Sequence, residues 1–156
     1  MANQNDAVHD ALEALLNGLF TDAAGIVRNP DRYVEPRRKQ DTADGLAAYV
    51  ALEDDSDPDV LGTVIGDGDT TFDLACTPNV VLCFSGGKRD DRLKAARAYR
   101  DVLSDALKAD RFLGGAAAYA EIDNQMPAEA GSADAWMAGG LMLGIRILFT
   151  GATKAG

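Results

Sequence analysis

Few side chains in this sequence are suited to nucleophilic or metal chemistry: Cys76, Cys83 and the single histidine, His9. The odd spacing of the cysteines puts them on opposite faces of any continuous strand, so buried reduced thiols are expected. A structural zinc site needs about four ligands, and one histidine with two separated cysteines falls short. His9 falls off the apolar stripe of its helix and reads as a solvated surface histidine. Asp55, Asp57 and Asp59 mimic the first three positions of a calcium loop. That loop needs Gly at its sixth position and Glu at its twelfth, and here they are Val60 and Gly66, so a solvated acidic loop is expected. Gly86-Gly87-Lys88 invites a phosphate-loop reading. The pattern fails at Leu82, where the first Gly belongs, and at Arg89, where Ser or Thr belongs. There is no G-x-S-x-G elbow, no G-x-G-x-x-G and no histidine cluster, and the many carboxylates fall in polar loops. No catalytic, cofactor-binding or metal-binding residue is assigned, no cofactor is expected, and the chain reads as a non-enzyme.

The elements around these residues centre on Lys88 to Glu121. Leu93, Ala96, Tyr99, Leu103, Ala106 and Leu107 recur at three- and four-residue steps between Arg92 and Arg111, with charged residues between them. That pattern predicts a helix lying on a sheet. Asp90 and Asp91 suit its positive end, and Lys108 and Arg111 its negative end. Gly114 and Gly115 can take the positive φ that a reversal needs, and 116–122 reads as a returning strand.

Upstream, Val8, Leu12, Leu15, Leu16, Leu19 and Phe20 predict a first helix over 5–24, capped by Asn5 or Asp6. Residues 28–45 read as an extended arm or loop, with Tyr33-Val34-Glu35 a possible short strand before Pro36. Strands are expected at 46–52, 60–65 and 72–85. The last is interrupted at Thr77-Pro78-Asn79, and its Val80–Phe84 half is buried on both faces. Residues 123–138 read as an acidic loop carrying Trp136, either an interface anchor or a cap on the core. Leu141–Thr150 alternates cleanly as a strand, and 151–156 reads as a mobile tail.

The sequence of 156 residues reads as one domain over 1–156, with 47% hydrophobic and 26% charged residues, which excludes general disorder. No apolar run reaches membrane-spanning length and Met1–Asp6 has no basic segment, so neither a signal peptide nor a membrane contact is expected. The formal net charge of −10 is unevenly spread. Glu53–Asp73 holds eight acids, Asp54, Asp55 and Asp57 among them, and no Lys or Arg. Arg28–Lys39 and Lys88–Arg111 each carry a net +3 by count. Solvation explains such asymmetry in a monomer. Self-association, in which basic blocks meet a neighbour's acidic loops, explains it more sharply. The acid excess disfavours nucleic-acid binding.

The coarse order is α-β-β-β-α-β-β, an α+β fold in which a mostly antiparallel sheet carries two helices on one face. Within it, Arg92-Leu93, then Ala109-Asp110-Arg111-Phe112-Leu113-Gly114-Gly115, then Tyr119-Ala120-Glu121-Ile122, an acidic loop and the strand Leu141–Phe149 together resemble tail terminator proteins of long-tailed bacteriophages and gene-transfer particles. Asn29-Pro30-Asp31-Arg32-Tyr33 resembles the family's turn after the first helix. The acidic Glu53–Asp73 block and Cys76–Pro78 depart from the family pattern. The resemblance implies a structural virion protein, assembled in the host bacterial cytoplasm. It would form a homohexameric ring that caps the tail tube, ends its polymerisation and joins it to the head-side connector or stopper protein. DNA would pass through the lumen without specific binding, since an acidic lumen repels phosphate. Arg92, Arg97 and Arg100, or Arg37 and Arg38, are the expected basic side of a subunit interface, with Asp54, Asp55 and Asp57 opposite and Trp136 a further contact. Another neck component is the alternative within this class. A small ligand-binding or enzymatic α+β domain with a closed apolar pocket is the alternative outside it.

Overall fold

A computed structural model describes residues 3–21, 26–28, 46–54, 57–66, 68–128 and 140–156. The arm over 29–45, with Arg37 and Arg38, lies outside the described residues, as do Asp55 and the 129–139 stretch with Trp136.

α1 (Gln4–Leu19) begins at Asn3, whose side chain accepts the backbone N–H groups of Asn5 (2.8 Å) and Asp6 (3.4 Å). The cap is therefore Asn3, not Asn5 or Asp6 as expected, because the residue before the first turn is the one placed to reach its open donors. The helix ends at Leu19, short of 24. β1 (Ile26–Arg28) was not expected and pairs parallel with Val50–Leu52. β2 (Ala47–Glu53), β3 (Asp59–Ile65), β4 (Thr70–Cys76) and β5 (Asn79–Ser85) follow. Next come α2 (Arg89–Ala109), a 3-10 turn over Leu113–Gly115, β6 (Tyr119–Ala128) and β7 (Gly140–Gly151).

β7 organises the sheet. On one edge it pairs antiparallel with β5 (Leu82↔Leu141 to Asn79↔Gly144) and then with β4 (Cys76↔Ile147 to Phe72↔Gly151), in a single unbroken register. Its other edge takes β6. Between β4 and β5, Ile145 donates its N–H to the carbonyl of Pro78 at 2.9 Å. Proline has no N–H to return, so the expected interruption is one missing ladder bond rather than a change of register. β2 lies on β5 and β3 on β4, both antiparallel. β2 and β3 therefore run antiparallel along β5 and β4 as the two arms of one long hairpin, and β1 adds the only parallel pairing among the described residues. The result is the α+β architecture expected from the sequence, in roughly the expected order.

β6 runs well past 122, into residues expected to be an acidic loop. A bulge at Asp123 keeps the pairing going. Asn124 Oδ1 accepts the N–H of Gly144 at 3.1 Å, and a side-chain carbon on Gly144 would stand 2.5 Å from that oxygen. Gly144 lets the two strands close at this point.

The core is the sheet face carrying both helices. Leu74, Cys76, Val80, Leu82 and Phe84 keep one parity across Pro78 and cluster with Leu141, Leu143, Ile145, Ile147 and Phe149 of β7. α1 adds Val8, Leu12 and Leu16, and α2 adds Ala96, Leu103 and Leu107. Tyr99 of α2 ties three elements together, stacking on Phe20 at 4.5 Å and meeting Phe84 edge-on at 4.9 Å. Ala51, Val81 and Cys83 are buried on the opposite face, so β5 is covered on both sides, as its apolar run predicts.

Candidate functional site

The two cysteines, His9 and the Gly-Gly-Lys turn are each engaged by the fold. Cys76 and Cys83 are in no disulfide and are buried on opposite faces of the continuous β4–β5 ribbon. Burial pushes the Cys83 thiol from 9.0 up to about 12, which keeps it protonated and unreactive at neutral pH. His9 is buried, not solvated as expected, and its Nδ1 lies 2.7 Å from the Asn5 carbonyl one helical turn back. The buried positions of α1 are 5, 8, 9, 12 and 16, a broader stripe than the aliphatic residues alone suggest, and His9 falls inside it.

At the start of α2, Lys88 N–H donates to Asp91 Oδ2 at 3.3 Å. Arg92 turns back and donates to the carbonyls of Gly86 (3.0 Å) and Gly87 (2.9 Å). The Gly-Gly-Lys turn thus points carbonyls at a cation of its own chain, the reverse of a phosphate cradle. Asp57 and Asp59 are exposed and Asp54 is half-buried. Among the described residues no three His, Cys, Asp or Glu side chains group to hold a metal, and no helix is long and apolar enough to cross a membrane.

The end of α2 is the most closely specified local structure. Asp110 accepts the N–H of Phe112 on Oδ1 (3.1 Å) and of Gly114 on Oδ2 (2.7 Å). Leu113, Gly114 and Gly115 all take positive φ, at 48°, 68° and 100°. The glycines do so at little cost. Leu113 is held there by burial against roughly 1–2 kcal/mol of left-handed strain. Arg111 then donates to the Ala120 carbonyl at 3.1 Å and lies over the Tyr119 ring at 5.2 Å, which fixes the entry of β6. The Asp-x-x-Leu-Gly-Gly string is a turn with each residue in a distinct role.

The proposed interface arginines separate into two kinds. Arg92 holds its own turn, and Arg100 pairs with Asp101 (2.9 Å) and donates to Gln125 Oε1 on β6 (2.9 Å). Arg97, with Lys94 and Lys108, is exposed on the outer face of α2.

One surface escaped the sequence reading. β3 was expected as an ordinary strand, but Val60 (43%), Leu61 (53%), Val64 (52%) and Ile65 (82%) are all exposed. The apolar run 60–65 has the composition of a buried strand. The only sequence signal against that was its position inside 40–87, where there is no Lys or Arg. Phe112, on the turn after α2, is also exposed.

Compared with known protein families, curated proteins and solved structures, the chain matches none.

Proposed function

We propose that this chain is a structural, non-enzymatic protein that assembles as a homohexameric ring on the end of a phage-type tail tube. There it stops tube growth and joins the tail to a head-side connector or stopper. The observation that carries the reading is the α2–turn–β6 unit. The Arg- and Ala-bearing helix, the Asp110-to-Gly115 stop and the returning strand are the segment whose sequence resembles tail terminators, and they form one continuous helix–turn–strand unit. Segregated charge supports it further: exposed cations on α2 and exposed acids on β3 and β4 suit a contact between different faces of neighbouring copies. Six copies bring sixty formal negative charges to a ring, which favours passage of DNA over binding.

Light scattering over a concentration series at low and high salt tests this reading, with purified tail tubes added in a second series. The expected result is a hexamer, or a monomer that forms a ring only on tube ends, weakened by salt. A ring that ignores tubes but binds the connector would make the chain another neck component. A monomer under all conditions would remove the reading.

A further inference from the structure

The ring reading leaves open which surfaces meet, and the β3–β4 hairpin supplies one of them. Residues 40–87 contain ten acids and no base, and this hairpin is the exposed end of that block. Its pairing sends apolar side chains to both faces. Val60 and Ile65, opposite Leu74 and Thr70, lie on the helix side, and Val64, opposite Thr71, lies on the other. The outer edge of β3 has no strand partner among the described residues. Such an edge invites pairing with another chain unless something covers it. Asp57 and Asp59 at the start of β3, Asp69 in the turn and Asp73 on β4 are exposed on this hairpin and have no basic partner among the described residues. The cover must therefore be basic and partly apolar.

The same chain presents that chemistry elsewhere. On the outer face of α2, Lys94, Arg97 and Lys108 are exposed with no carboxylate partner among the described residues. Beside them Ala98 and Val102 form an exposed apolar step one helical turn apart. Asp101 is held by Arg100, which leaves Asp105 in the middle of that face as the one acid there without a basic partner among the described residues. α2 packs chiefly on β5, β7 and β6, so a subunit's own arm does not rest on it.

We infer that the β3–β4 hairpin is an arm that docks on α2 of a second copy of this chain. This rests on the ring reading. Because arm and receiver are different surfaces, every copy gives one arm and receives one, and repetition of that contact closes a ring.

The test uses two full-length variants, both altered only at exposed positions. In one, Asp59, Asp69 and Asp73 become Lys. In the other, Lys94, Arg97 and Lys108 become Glu. Each alone is expected to lose the assembly that the wild-type chain forms, because like charges meet at every contact. Mixed in equal amounts, they are expected to regain the wild-type mass in alternating rings, since each basic arm now meets an acidic helix and each acidic arm a basic one. Melting curves check that each variant is folded. If the charge reversals unfold the hairpin, Val64→Ser with Ile65→Ser provides the arm-side test, with the same expected loss. A wild-type ring that persists in either variant, or a mixture that stays monomeric, overturns the arm and leaves the ring reading standing. A wild-type chain that never assembles, even on tubes, overturns both.

Discussion

β5 and β3 are strands of equal length in one long hairpin, with similar shares of aliphatic residues, yet one is buried on both faces and the other on neither. Sequence composition does not separate them. Position does: β5 lies against β7 on one edge and β2 on the other, beneath α2, whereas β3 ends the sheet and, among the described residues, pairs only with β4. The apolar content of a strand thus reports that something covers it, not that the same chain does.

Matched substitutions sharpen this contrast. Ile145→Ala opens a void at the centre of β7, and denaturant unfolding should show a loss of about 2–5 kcal/mol. Ile65→Ala in the arm should stay within about 0.5 kcal/mol for the isolated subunit. Equal losses at the two positions would mean that the arm is part of the core.

The glycines give a smaller version of the same comparison. Gly144→Ala displaces the Asn124 side chain and its hydrogen bond, for a cost of about 1 kcal/mol. Once Asn124 is already Ala, the same change should cost less. At Gly62 an added carbon meets only Asp73 Oδ2, at an ordinary 3.6 Å, so Gly62→Ala should be neutral or slightly stabilising.

A last effect is invisible at neutral pH. The folded Cys83 thiol ionises near 12 rather than 9.0, so the unfolded chain gives up its proton first. This contribution is whole below pH 9 and is lost between about 9 and 12, at about 1.4 kcal/mol per pH unit. Cys83→Ala should flatten that alkaline limb in a series of urea melts, and an unchanged limb would place its origin elsewhere.

Much of the fold was legible because its signals are local. The stripe of α2, the alternation of β7 and the Asp110–Gly115 turn each report on neighbours within a few residues. Misreadings arose where a distant partner decided the outcome. β6 continues through Asp123 because β7 is there to pair with, although its own composition reads as loop. Ile26–Arg28 is a strand only because β2 offers an edge. His9 was misread for a different reason: the buried stripe of α1 is broad enough to include it, and Asn5 one turn back supplies a carbonyl for its ring. For the candidate site, sequence pointed to charge segregation and to Arg97. It could not show that Arg92 and Arg100 are spoken for inside the subunit, nor that β3 stands clear of the core.

The role of β7 bears on how the chain must be born. β7 follows, in order of synthesis, every strand that it joins. Until it leaves the ribosome, the long hairpin and β6 have no common partner. Only α2 lies over part of the hairpin's apolar face, and a lone two-stranded ribbon is marginal in water. Helices and hairpin therefore wait as loosely ordered pieces, and the sheet closes in one late step across long sequence separations. Both strands of the arm have already been made during that wait, so newly made subunits expose their stickiest residues before they are folded.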